Sequence, residues 1–81
     1  MKFIATFYSH FGAVRFKKKC NKEGVEAKLM PVPRDLSSSC GTCVSYDSEV
    51  YEIEGTVREE LEQVVRQTED GYEVLYRASD S

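Results

Sequence analysis

The chain has 81 residues, of which 41% are hydrophobic and 31% charged, and its net charge is −3. This length predicts one domain with one modest core, and the composition is that of a globular protein. The N-terminal apolar run is too short for a signal peptide, and no stretch approaches the roughly 18 apolar residues of a membrane span. We therefore expect a cytoplasmic protein, which also fits its odd number of cysteines.

The charges are distributed unevenly along the chain. Residues 1–45 contain eight Lys and Arg against three acidic residues, whereas residues 46–81 contain three Arg against eleven acidic residues. The overall acidity argues against nucleic acid as a partner. The basic run Lys17-Lys18-Lys19 is typical of a solvated helix face, and the alternative is a docking patch for an acidic partner or for the acidic half of a second copy.

The first half of the chain predicts a strand, a helix and a second strand. Residues 2–8 are rich in aromatic and β-branched side chains, which favours a strand. Ser9 is placed to cap an amphipathic helix over residues 10–23, and Gly24 can end it with a positive φ. Residues 25–32 alternate as a second strand, which the prolines at its end limit to a sheet edge.

The second half predicts a strand, a helix and a final strand. Residues 42–46 favour the third strand and residues 72–77 the last one. Between them, the "TVRE" of Thr56 to Glu59 matches a capping box, which predicts a second helix. The expected buried stripe of that helix consists of four apolar residues: Val57, Leu61, Val64 and Val65.

The predicted order βαββαβ fits a single ferredoxin-like α+β domain over residues 1–81. Such a domain has a four-stranded antiparallel sheet, here in the order 4-1-3-2, with both helices on one face. Its first two strands run parallel, so the turn after strand 1 and the loop after strand 2 lie at the same end of the sheet. This topology predicts that His10 and the start of the first helix lie near Arg34 and Cys40.

The stretch "PRDLSSSCGTC", residues 33–43, differs from the rest because it places two cysteines in a polar loop. Cys40 and Cys43 form a Cys-x-x-Cys pair, whose spacing allows an internal disulfide if the turn at Gly41 is tight. A thiol with the reference pKa of about 8.5 must be shifted toward neutrality to react efficiently in the cytosol. In thioredoxin-like proteins such a pair starts a helix, whose positive end lowers the pKa of the first thiol. No helical pattern follows Cys43, so this sequence does not match a thioredoxin-like site.

Several neighbours could stabilise a thiolate, a persulfide anion or a selenopersulfide anion on Cys40. A cation, a protonated histidine, the positive end of the first helix and successive loop amides are the candidate sources. The residues expected to act in this way are Arg34, His10, Ser38, Ser39 and Gly41. We expect no cofactor, and a stable mononuclear zinc site would require dimerisation because the Cys pair and the single His supply at most three ligands.

Simpler structural roles compete with these chemical ones. Cys43 opens a strand, so it is equally a resolving thiol or a half-buried strand residue. Cys20 lies on the apolar stripe of the first helix and is expected in the core. His10 could be an ordinary residue of the capping region, and the serines could simply solvate a turn.

The stretch "YSHFGAVRFKKKCNKEGVEAKLMPVPRDLSSSCG" contains a Ser-His turn, a Pro-x-Pro-Arg segment and a Ser-Ser-Ser-Cys-Gly loop. The combination resembles a bacterial family of small selenium/sulfur carrier-like proteins, a domain of unknown function. The residues that match the motif are Ala13, Pro31, Pro33, Arg34, Ser38, Ser39, Cys40 and Gly41. The resemblance implies that Cys40 holds sulfur or selenium as a persulfide or selenopersulfide, taken from a donor enzyme and passed to an acceptor enzyme.

Cys43 departs from the pattern of that family, in which a second cysteine at this position is not expected. A nearby Cys43 would attack a Cys40 persulfide, release sulfide and form a disulfide. That reaction would favour a redox or reductive-release role over a stable carrier. Taken together, the thiol loop and the resemblance predict a carrier or delivery protein rather than a stand-alone enzyme. Two alternatives are a small redox protein that cycles a Cys40–Cys43 disulfide and a non-catalytic interaction module. A homodimer through an exposed edge strand is a further expectation, whereas a membrane partner is not expected.

Overall fold

The computed structural model describes residues 1–36, 38 and 40–78, which form one antiparallel sheet and one helix. Along the chain the elements are β1 (Lys2–Phe7), α1 (His10–Lys22), β2 (Glu26–Pro31), β3 (Thr42–Asp47), β4 (Leu61–Thr68) and β5 (Gly71–Arg77). The strands lie in the order β2-β3-β1-β4-β5, and all neighbours are antiparallel. The central strand is therefore β1, and β2 and β5 are the edges.

The central strand β1 is buried because its side chains alternate between two covered faces of the sheet. Phe3, Ala5 and Phe7 belong to the main core cluster, on the face that carries α1. Ile4 belongs to a second, smaller cluster on the opposite face. A strand with apolar side chains at successive positions is stable where both faces of the sheet are covered, and the centre of this sheet meets that condition.

The helix α1 begins at the predicted cap and packs on β1, β2 and β3. The Gly12 N–H donates to Ser9 Oγ at 3.1 Å, so Ser9 is the N-cap. Phe16 packs against Phe7 and Tyr46 with ring centroids 5.2 and 5.1 Å apart. With 13 residues α1 is too short to cross a membrane, and residues 1–36, 38 and 40–78 contain no other helix.

The predicted ferredoxin-like sandwich of four strands and two helices is wrong. The residues expected to form a second helix instead form part of the segment 48–60, between β3 and β4, and much of β4 itself. The sheet has five strands, and β4 occupies the place beside β1 where the last strand was expected. The neighbours β2, β3 and β1 do lie in the predicted order.

The capping box predicted at Thr56 fails for a local reason. Thr56 Oγ1 donates a hydrogen bond back to Ile53 O at 2.5 Å, so this hydroxyl closes a turn. The amides of Glu60 and Leu61 each bond to the carbonyl three residues earlier, at 3.1 Å. These short-range bonds form tight turns that end where β4 begins, instead of the i to i−4 bonds of an α-helix.

Most of the apolar stripe predicted for that helix lies in β4, which contains Leu61, Val64 and Val65 and is covered on both faces, whereas Val57 lies before it. Val64 lies in the main core cluster, and its neighbour Val65 lies in the second cluster on the opposite face. Both side chains are almost completely buried. Two consecutive buried valines resemble part of a helical stripe in the sequence, but their β-branched side chains suit a central strand.

The loop between β2 and β3 covers part of the face opposite α1. Leu36 and Val32 of this loop pack on the second cluster, which consists of Ile4, Cys43 and Val65. The second cluster is small, so a long polar loop that contributes two apolar side chains can cover it. The same loop also carries Cys40, which links the covering of this face to the candidate site.

Replacement of Val65 by Thr should destabilise the protein by about 1–3 kcal/mol, because it places a hydroxyl in a fully buried apolar position. The matched control is Val74→Thr. Val74 pairs with Val65 across β4 and β5 but is 47% exposed, so its effect should stay within about 0.5 kcal/mol. Urea unfolding followed by circular dichroism measures both variants. Equal losses would contradict the placement of β4 between two apolar layers.

Candidate functional site

The candidate site lies at the end of the sheet where β1 ends and β3 begins. Cys40 and Gly41 form the turn directly before β3. Gly41 has a φ of +75°, which L side chains rarely adopt, and this conformation explains the glycine. The Val32 N–H donates to Gly41 O at 3.1 Å and closes the base of the loop. The backbone therefore fixes the position of Cys40 at the start of β3.

The sulfur of Cys40 contacts the backbone of Thr42. The Thr42 N–H donates to Cys40 Sγ at 3.4 Å, and Sγ lies 3.3 Å from Thr42 O, to which the protonated thiol donates. An N–H donor favours an anionic sulfur, whereas a carbonyl acceptor favours a protonated one. The turn therefore contacts the half-buried Cys40 sulfur through one donor and one acceptor, both from Thr42.

Thr42 also joins this turn to the start of α1. His10 Nδ1 lies 3.3 Å from Thr42 Oγ1, and His10 is exposed. The structure thus brings His10 and the N-terminus of α1 to the Cys40 turn, as the parallel direction of β1 and β2 predicts. The contact runs through Thr42, since no hydrogen bond joins His10 to Cys40.

The other residues expected to stabilise an anion are placed differently. Arg34 is exposed in the turn after β2, and it forms no ion pair with any residue that the structure describes. Ser38 Oγ donates to Phe7 O at 3.5 Å, so this serine ties the loop to the end of β1. Ser39 lies outside the described residues. Ser38 and Arg34 therefore remain candidates without an observed bond to the sulfur.

Cys43 has an environment unlike that of Cys40, although only two residues separate them. Its side chain is 0% exposed, packs with Ile4 and Val65, and donates from Sγ to Pro31 O at 3.7 Å. Burial raises the pKa of Cys43 to about 11, and the negative charge of a Cys40 thiolate contributes to the rise. At pH 7 roughly one Cys43 thiol in 10⁴ is ionised.

Cys20 lies in the main core beneath α1, which confirms the prediction that it is a core residue. Burial raises the pKa of Cys20 to about 11. Of the three cysteines, Cys40 alone is only partly buried. No group of three His, Cys, Asp or Glu side chains able to hold a metal ion occurs in residues 1–36, 38 and 40–78.

Two threonines of this region were missed by the sequence analysis. Thr42 contacts both Cys40 and His10, but these contacts form only when the turn closes. The position of Thr42 in the sequence gives no signal of them. Thr6 pairs with Cys43 across β1 and β3, and its buried Oγ1 has no hydrogen-bond partner among the described residues. The available signal for Thr6 was its polarity, because it is the one hydroxyl residue within the apolar β1.

Two aromatic side chains are exposed at the same end of the sheet. Tyr8, directly after β1, is 45% exposed, and Phe11, in the first turn of α1, is 65% exposed. The Arg15 guanidinium lies 4.8 Å from the centroid of the Phe11 ring. The end of the molecule that carries Cys40 therefore also offers apolar surface, which is typical of sites that meet other molecules.

A family model described as "Putative Se/S carrier protein-like" matches residues 2–77. The chain belongs to this family. The match confirms the resemblance seen in the sequence and extends it from the quoted residues 8–41 to nearly the whole chain, including β4 and β5. Comparison with curated proteins and with solved structures gives no significant match.

Cys40 should be alkylated by iodoacetamide at pH 7.5 at least about 100-fold faster than Cys43, because only Cys40 is both accessible and outside the apolar cluster. Timed alkylation followed by peptide mass spectrometry measures the two rates separately. Cys40→Ser should remove the fast phase, and Cys43→Ser should retain it. Similar rates at the two thiols would contradict the burial of Cys43.

The unfolding free energy should fall as the pH rises from about 9 to about 11. Cys20 and Cys43 have pKa values of about 11 in the folded chain against an ordinary value of 9.0, so ionisation in this window favours the unfolded state. Each thiol should contribute roughly 1–3 kcal/mol below pH 9 that is lost above pH 11.

Urea unfolding at pH 8 and pH 10.5 under reducing conditions measures this loss. Cys43→Ala should lose less stability than wild type between the two pH values, since one titrating group is gone. The same loss in both proteins would contradict the raised pKa of Cys43.

Proposed function

We propose that this protein carries sulfur or selenium as a persulfide or selenopersulfide on Cys40. It would receive the atom from a donor enzyme and pass it to an acceptor enzyme. The observation that carries the proposal is the contrast between Cys40, half-buried with an N–H donor at its sulfur, and two fully buried cysteines. Membership of a family described as "Putative Se/S carrier protein-like" supports the same function.

The loading step requires a donor that itself bears a persulfide or selenopersulfide. The Cys40 thiolate attacks the outer sulfur or selenium atom, a bond forms to Cys40 Sγ, and the bond to the donor sulfur breaks. The donor leaves as a thiolate, so atoms and charge balance without an external oxidant. Delivery follows the same course, with an acceptor thiolate as the nucleophile and Cys40 as the leaving group.

Both steps begin or end with an anionic sulfur on Cys40, and two neighbouring groups are placed to stabilise it. The Thr42 N–H donates to Sγ, and the positive end of α1 lies beside the turn because His10 contacts Thr42. We assign to His10 the role of holding the turn against α1. Tyr8 supplies exposed apolar surface against which a donor or acceptor can pack.

The environment of Cys43 favours the carrier over the redox alternative. A disulfide cycle requires the Cys43 thiolate to attack Cys40 Sγ in a mixed disulfide with the substrate, and the substrate leaves as a thiolate. Attack on a Cys40 persulfide would release sulfide in the same way. Cys43 is completely buried, its thiol donates to Pro31 O, and its pKa of about 11 keeps the thiolate scarce. In the carrier, Cys43 would fill the second cluster as a small apolar side chain, and the bound chalcogen atom would stay on Cys40.

Intact-protein mass spectrometry tests the proposal after incubation with a cysteine desulfurase and cysteine, or with selenite and glutathione. Wild type and Cys43→Ser should each gain one sulfur or selenium atom, and Cys40→Ser should gain none. The same adduct on Cys40→Ser, or no adduct on wild type, would overturn the proposal. Loss of two hydrogens from wild type, absent from both variants, would favour the redox alternative instead.

A further inference from the structure

The helix α1 and the segment 48–60 lie side by side on the same face of the sheet. A Cβ added at Gly12 would lie 3.1 Å from Glu60 Cβ, and one added at Gly55 would lie 3.3 Å from Lys19 Cδ. Arg15 Nε and Glu60 Oε1 are 3.6 Å apart and form an ion pair across this boundary. The two elements therefore form one continuous outer surface.

This surface consists of a basic half and an acidic half of similar charge. The helix α1 contains five Lys and Arg and no acidic residue, whereas the segment 48–60 contains five acidic residues and one Arg. The net charges of the two halves are therefore +5 and −4. We call the exposed Arg15, Lys18 and Lys22 the basic strip and the exposed Glu54 and Glu59 the acidic strip.

Most of these charges are not neutralised within the chain. Lys18, Lys22, Glu54 and Glu59 form no ion pair with any residue in the described part of the chain. Pairing within the molecule therefore does not explain why two opposite strips lie next to each other. The strips leave charges of both signs available to another molecule.

We propose that a second copy of this chain docks on this surface and forms a two-fold symmetric dimer. A two-fold axis that lies in the interface along the boundary between α1 and the segment 48–60 turns each basic strip onto the acidic strip of the partner. A two-fold axis in the interface but perpendicular to this boundary would instead place each basic strip on the basic strip of the partner. The surface is thus self-complementary in the way that a closed dimer requires.

The same surface also supplies apolar area, which charge pairs alone would not provide. Phe11 on α1 is 65% exposed and Val50 in the segment 48–60 is 60% exposed, so each half contributes one large apolar side chain. The exposed sheet edges are less suitable for pairing. β5 pairs with β4 through an irregular register between Val64 and Val65, and β2 ends in Pro31, which lacks an N–H.

The dimer does not depend on the chemistry proposed for Cys40. Val32 and Leu36 of the loop that carries Cys40 cover the face of the sheet opposite α1. The turn that carries Cys40 contacts α1 only at His10, outside the basic strip. Both copies would keep their Cys40 turns accessible. The protein could therefore carry sulfur or selenium without forming a dimer, and it could form a dimer without acting as a carrier.

Sedimentation velocity tests the proposal on wild type and on two double variants with reversed charges. One double variant reverses the basic strip, by Lys18→Glu and Lys22→Glu, and the other reverses the acidic strip, by Glu54→Lys and Glu59→Lys. Wild type should be a dimer at low salt that dissociates as the salt concentration rises. Each variant alone should dimerise at least about 100-fold more weakly, because it opposes two strips of the same sign. An equimolar mixture of the two variants should regain dimers, since both contacts are then complementary.

The matched control is the double variant Lys2→Glu with Lys28→Glu, which makes the same charge change on the opposite face of the sheet. The lysines lie on that face because successive strand residues alternate, and their neighbours Phe3 and Ala27 pack in the cluster under α1. This control should remain a dimer. A monomeric wild type, variants that dimerise normally, or a mixture that stays monomeric would each overturn the proposal. If a reversed variant fails to fold by circular dichroism, the Gln substitutions at the same positions give the same test.

Discussion

The burial of β1 on both faces is the constraint on which the rest of the structure depends. Its odd-numbered residues Phe3 and Phe7 support the core under α1, and its even-numbered residues Ile4 and Thr6 face the other side. Because the second side must also be covered, the loop after β2 folds against it and brings Leu36 onto the second cluster. The candidate site is formed where this loop returns to β3 beside the end of β1.

This arrangement separates two thiols that are close in sequence. Cys40 lies in a turn whose conformation is set by Gly41, outside the strand. Cys43 lies one residue into β3, where strand alternation directs it into the apolar cluster with Ile4. A shift of one residue in the pairing of β3 would turn Cys43 to the other face of the sheet, so the sheet register itself places this thiol in the cluster with Ile4.

Local sequence signals predicted the elements around the site but only part of the sheet. Ser9, Gly24 and the apolar spacing of α1 are signals that act within a few residues, and they predicted the helix and the position of the Cys40 loop. The helix expected at Thr56 was wrong because Val64 and Val65 are buried on opposite faces, a feature that depends on distant strands. Thr42 was missed for the same reason, since its contacts with Cys40 and His10 exist only after folding.

The unequal charges of the two halves of the chain were evident from the sequence, but their meaning required the fold. In the predicted arrangement the acidic residues after β3 would have been divided between a loop and a second helix. In the structure they form one segment beside α1, with Glu60 in contact with Arg15. The self-complementary surface is therefore a property of tertiary structure, which composition alone cannot establish.

The lifetime of a Cys40 persulfide tests the central claim, the protection of this group from Cys43, most directly. Sulfide release and disulfide formation should be followed on loaded wild type and on loaded Cys43→Ala, in the folded state and in urea. The two folded proteins should release sulfide at rates within about twofold of each other. Urea should accelerate release more in wild type, where Cys43 and Cys20 become exposed, than in Cys43→Ala, where only Cys20 does. Rapid release from folded wild type with formation of a Cys40–Cys43 disulfide, absent in the variant, would contradict the account.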